Sequence, residues 1–115
     1  MSAKSKIRGY NVEIWLRNKH MENGISCERV PLSGSMGGKY SGDLAIPSVE
    51  AAVFRCESKA RKNGSGFTVI EKWMGEKDIL FLKRHRQDPL VVIPFDIYLR
   101  LMGAYAKAND ISHNL

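Results

Sequence analysis

The segment Val53-Phe54-Arg55-Cys56-Glu57-Ser58-Lys59 constrains this chain more than any other. An apolar, strand-like run ends in a carboxylate, one spacer and an ammonium. Alternate side chains of a strand share a face, so Glu57 and Lys59 point one way while Cys56 and Ser58 point the other. A second carboxylate, Asp43, follows Gly42 one hairpin earlier. Of the 12 acidic residues only Glu57 has a lysine two positions on, which gives the triplet some weight. Taken alone, it also describes the solvated face of an edge strand.

The rest of the chain supplies the frame. Apolar residues at helical spacing predict a helix over 9–21, ended by Asn23-Gly24, with Gly24 as a left-handed cap. Residues 25–30 alternate as a strand. Positions 31–42 hold four glycines and three serines and read as a long loop, a length more often functional than idle. Strands are expected over 43–46 and 51–59, joined by a turn at 47–50. The basic, glycine-rich stretch 61–66 leads to a helix over 68–77. Thr68 is its expected cap, with Glu71 completing a capping box. Strands over 78–84 and 89–95 flank a turn at 86–88, and Asp96 caps a last helix. The order α, three strands, α, two strands, α predicts an α/β domain: one mixed central β-sheet flanked by helices.

Composition narrows the partners. The 115 residues suit one domain, 1–115, with 1–7 as a disordered basic tail. A net charge of +6 favours a polyanion, with nucleic acid first among candidates. Cys27 and Cys56 lack metal or redox spacing and read as small core residues of a reducing compartment. His20, His85 and His113 show no zinc-ligand spacing. No apolar run follows Met1 and none spans a membrane, so the expectation is a soluble cytoplasmic protein without small-molecule cofactor.

Two carboxylates can hold a divalent cation through hard oxygen ligands, and a lysine beside them can orient water or hold a phosphate oxygen. Asp43, Glu57 and Lys59 therefore meet the minimum for metal-dependent phosphodiester cleavage. The bland readings are a turn aspartate at 43 and, for Glu13, an exposed pair with Arg17 one helical turn on. Trp15 and Trp73 read as core or interface residues rather than base-stacking ones. Lys83, Arg84 and Arg86 form a second basic cluster of unassigned geometry.

These residues together resemble the archaeal-type Holliday junction resolvases, a branch of the PD-(D/E)xK nuclease superfamily with members in phages. Arg8-Gly9-Tyr10-Asn11-Val12-Glu13 resembles the family's opening helix with its catalytic glutamate. Arg29-Val30-Pro31-Leu32-Ser33-Gly34-Ser35 resembles its Arg-x-Pro-x-Ser-Gly-Ser loop. Gly42-Asp43-Leu44 stands where the family has Pro-Asp-Ile. Cys56-Glu57-Ser58-Lys59-Ala60-Arg61-Lys62 matches its Glu-x-Lys-Ser-Arg-Lys strand end, and Ile93-Pro94-Phe95-Asp96 echoes the last strand and the start of the last helix. Gly42 replaces a proline, and Lys72 stands where a glutamine is common.

The resemblance implies a restriction-endonuclease-like core and a Mg²⁺-dependent endonuclease, Mn²⁺ substituting, that resolves branched double-stranded DNA as a homodimer in the cytoplasm, or in the host's for a phage member. It implies metal ligation by Glu13, Asp43, Glu57 and the Ser58 carbonyl, with Lys59 aligning the attacking water. Ser33 would act at the phosphate, and the amides of Gly34 and Ser35 would form an anion-binding concavity. Arg8, Arg29, Lys39, Arg61 and Lys62 would contact DNA. The expected interface is the second helix around Trp73 and Met74 with the strand 79–82, and the C-terminal helix around Tyr98, Met102 and Tyr105 is the second choice. Two other readings compete: a nicking or repair endonuclease of the same superfamily, and a non-catalytic basic DNA-binding module.

Overall fold

The computed structural model describes residues 3–30, 42–50 and 53–112. The chain is mixed α/β, with three helices and two small antiparallel sheets among the described residues. The elements run α1 (Ala3–Glu22), β1 (Glu28–Arg29), β2 (Leu44–Pro47), β3 (Val53–Cys56), α2 (Thr68–Met74), β4 (Leu80–Leu82), β5 (Leu90–Val92) and α3 (Phe95–Ala108). Residues divide into two compact units, one of Met1–Ala60 with Met102–Leu115 and one of Arg61–Leu101.

In the first unit α1 starts at Ala3, well before the expected Gly9, so most of the stretch anticipated as a frayed tail is helix. Its end follows the sequence. Gly24 takes φ 78°, and the amides of Gly24 and Ile25 donate to the carbonyls of Met21 (3.1 Å) and His20 (2.9 Å). This paired closure satisfies two carbonyls the helix would leave bare. It also seats Ile25 as a fully buried side chain. α3 closes in the same way: Asp110 takes φ 56°, and Ile111 N–H donates to the Ala106 carbonyl at 2.9 Å.

The first sheet has the order β1-β2-β3, with Arg29 opposite Leu44, Leu44 opposite Cys56 and Ile46 opposite Phe54. β2 lies in the middle, and Leu44, Ala45 and Ile46 are each 3% exposed, so both of its faces are covered. Phe54 packs against Tyr105 of α3 with ring centres 5.6 Å apart, and the Tyr105 hydroxyl accepts from Val49 N–H at 3.0 Å. These contacts fix the β2–β3 hairpin to the C-terminal half of α3.

In the second unit β4 and β5 pair only with each other, Phe81 opposite Val91. The expected single mixed sheet therefore does not form: every strand pair among the described residues is antiparallel, in two separate sheets. Pairing across a short turn costs little loop-closure entropy, and the basic turn with Arg86 at φ 62° joins β4 to β5. Pro89 and Pro94 bracket β5 and shorten it to Leu90–Val92.

α2 also departs from expectation. It stops at Met74, and its N-cap is Phe67, which makes no side-chain cap bond. Thr68 is already helical, and its hydroxyl donates to the Gly64 carbonyl at 2.8 Å, so the capping box is absent. A tight bend at Gly64 draws the threonine one position into the helix, where its hydroxyl bonds backward rather than to an amide ahead. Asp96 likewise lies in the first turn of α3, one position inside it.

Candidate functional site

Asp43 extends β2 by one residue and is tied to both neighbouring strands. Its N–H donates to the Cys56 carbonyl at 2.7 Å, and its carbonyl accepts from Val30 N–H at 2.9 Å. Gly42 makes this approach possible. It sits at φ 90°, and a Cβ there would lie 2.7 Å from the Cys56 carbonyl oxygen. Proline, with φ fixed near −65°, cannot occupy such a position. The backbone route into Asp43 therefore requires a glycine at position 42.

The Asp43 carboxylate is buried, at 8% exposure. Its Oδ2 accepts from Ser58 N–H at 2.8 Å and from the Ser58 hydroxyl at 3.2 Å. Bonds from backbone and hydroxyl donors give a carboxylate taken out of water the partners that burial requires. Ser58 thus meets Asp43 through its amide and side chain.

Glu57 and Lys59 lie beyond the end of β3 and form an ion pair of 3.1 Å, their side chains 55% and 62% exposed. Glu13 is held elsewhere. Arg29 Nε donates to Glu13 Oε1 at 2.8 Å, and the guanidinium carbon sits 4.7 Å from the centre of the Tyr10 ring. The expected alternative partner Arg17 instead bonds Asn18. Each candidate carboxylate therefore has its own donor: Ser58 for Asp43, Lys59 for Glu57, Arg29 for Glu13.

A divalent cation needs several oxygens converging on one point. Among the described residues no group of three Asp, Glu, His or Cys side chains is arranged to hold a metal ion. Asp43 is joined to the Glu57-Ser58-Lys59 segment through Ser58, while Glu13 bonds Arg29.

The other described candidate residues belong to both units. Arg8 is half-buried on α1. Arg61 and Lys62 are exposed in the second unit, as are Lys83, Arg84 and Arg86 around the β4–β5 turn. Ser33, Gly34, Ser35 and Lys39 lie outside the described residues. Lys72 is exposed in the last turn of α2. Trp15 and Trp73 are exposed too, so neither belongs to the core of this chain. Among the described residues no helix is long and apolar enough to cross a membrane.

Burial pushes the Cys27 thiol up to about 12, with smaller contributions from Cys56 and Glu28 against an opposing one from Arg17. Burial also raises Cys56. Both are reduced thiols that stay protonated at neutral pH, which suits packing rather than nucleophilic chemistry.

Three contacts of the candidate residues were not anticipated from the residues alone: the ring of Tyr10 beneath Arg29, the Arg29–Glu13 pair, and the Ser58 hydroxyl on Asp43. The first carries a faint signal, because Tyr10 and Glu13, three apart on a helix, share a face. Compared with models of known families, with curated proteins and with solved structures, the chain matches none.

Proposed function

We propose that this chain is a structure-selective DNA endonuclease of the PD-(D/E)xK kind that resolves four-way junctions as a homodimer. One observation carries the reading. The β2–β3 hairpin brings the acidic residue of one strand onto the Glu57-Ser58-Lys59 segment following the next, through Asp43 and Ser58. That juxtaposition is what the superfamily's Asp and Glu-x-Lys elements require. The restriction-endonuclease-like core, of which it would be part, belongs to the same proposal.

The Lys59 ammonium is a compact charge suited to stabilising negative charge that develops on a phosphate. The basic surface supplies affinity for the polyanion. A two-fold DNA junction calls for two symmetric cuts, which a two-fold dimer delivers. The second unit supports the dimer: Trp73, Ile79, Phe81, Leu90 and Val91 are exposed. The C-terminal helix is the weaker choice, since Tyr105 is already engaged by Phe54 and Val49.

A second reading, a non-catalytic junction-binding module, draws on the separate pairing of the three carboxylates. One experiment separates the two. A synthetic four-way junction, matched duplex and single strand are incubated with the chain, with and without Mg²⁺. The expected result is junction cleavage only with Mg²⁺, lost by orders of magnitude in Asp43→Asn, Glu57→Gln and Lys59→Ala, with junction binding retained. Binding without cleavage at any Mg²⁺ concentration selects the module. Sedimentation tests the dimer, which Trp73→Glu should dissociate.

A further inference from the structure

Tyr10 and Glu13 on α1 and Arg29 on β1 form a three-membered cluster beside the Asp43 strand. The Arg29–Glu13 bond uses Nε at 2.8 Å, and the guanidinium stacks over Tyr10 at 4.7 Å. The two charges are unequally placed: the Arg29 side chain is 35% exposed and that of Glu13 only 14%. Solvent, or a ligand arriving from it, reaches the cation more readily than the anion. Val30, next to Arg29, donates to the Asp43 carbonyl, so the cation sits one residue from the strand end that carries the candidate site.

Taking Arg29 as one of the DNA contacts already expected, we propose that Glu13 holds its guanidinium in reserve and that Tyr10 is the positioning residue that keeps it in place. This rests on the reading of the chain as a DNA-binding protein. A phosphodiester and a carboxylate each carry one negative charge and offer a guanidinium similar oxygen pairs, so they compete for it. Leaving Glu13 without its cation at 14% exposure opposes the exchange, so Arg29 turns to DNA only where the phosphate field is strong enough. Stacking on Tyr10 asks only that the guanidinium stay flat on the ring, and it survives a change of anion.

The test is metal-free binding of a fluorescent four-way junction in EDTA, by anisotropy from 50 to 200 mM salt, with thermal melts of each full-length variant alongside. Glu13→Gln should bind about twofold to fivefold tighter at low salt, the scale of one exposed ion pair. Its plot of log affinity against log salt should steepen by at most about 0.9, one phosphate's counterion, because wild-type Arg29 makes that contact only part of the time. Arg29→Ala should bind more weakly, and the double variant should match Arg29→Ala. Tyr10→Phe should behave as wild type, while Tyr10→Leu weakens binding without a matching fall in melting temperature. The Tyr10 pair decides the matter should Glu13→Gln fail to fold. Unchanged affinity and slope in Glu13→Gln, or equal behaviour of the two Tyr10 variants, overturns the proposal while wild-type junction binding leaves the functional reading standing. A wild type that binds no DNA overturns both.

Discussion

β2 and β4 are short strands of similar apolar character, Leu-Ala-Ile-Pro and Leu-Phe-Leu, yet they end in opposite environments. The three apolar residues that open β2 are buried, whereas Phe81 at the centre of β4 is 70% exposed. The difference lies in the neighbours. β2 has a hydrogen-bonded strand on each edge, and its hairpin is clasped by Tyr105. β4 has one partner, β5, and a two-stranded ribbon covers neither of its own faces. All of residues 61–101 are described, and none of them is buried. Apolar sequence alone does not produce burial; a second layer does.

This contrast can be broken by substitution and urea unfolding. The largest effect belongs to Ile25→Ala, expected to cost about 2–5 kcal/mol because Ile25 is fully buried where α1 closes. A loss below ~1 kcal/mol would mean that the first unit has no rigid core. Gly42→Ala comes next, at about 1–3 kcal/mol, since it combines a left-handed φ with a Cβ 2.7 Å from the Cys56 carbonyl oxygen. It should also displace Asp43, so junction cleavage should fall with stability; normal cleavage would detach the hairpin from the site. The smallest effect is that of Phe81→Ser, within about 0.5 kcal/mol in the dissociated chain. A larger cost that grows with protein concentration would show a second copy covering this face.

Pairing and conformation explain which parts of the site were legible. Asp43, Glu57 and Lys59 could be picked out because charged residues at the end of apolar runs stand out, and period-two spacing predicts Glu57 and Lys59 on one face. They do form an ion pair, but both lie beyond the end of β3 at Cys56, so strand alternation is not what brings them together. The partner of Glu13 was not legible. Local spacing offered Arg17, but Arg29 lies 16 residues away and is delivered by the turn through Gly24. Long-range pairs depend on where the chain returns, which no local rule specifies.

The sequence by itself determined the number, type and order of the elements among the described residues, the Gly24 stop of α1 and the position of the β2–β3 hairpin. These depend on side-chain periodicity and on turn residues with few allowed conformations. The tertiary structure decided the rest. It split the five described strands into two sheets, gave Glu13, Asp43 and Glu57 different donors and left Trp73 and Phe81 exposed. Those outcomes follow from competition among strands for edges and among cations for anions. Nearly equal free energies are then separated by which groups the folded chain brings within hydrogen-bonding distance.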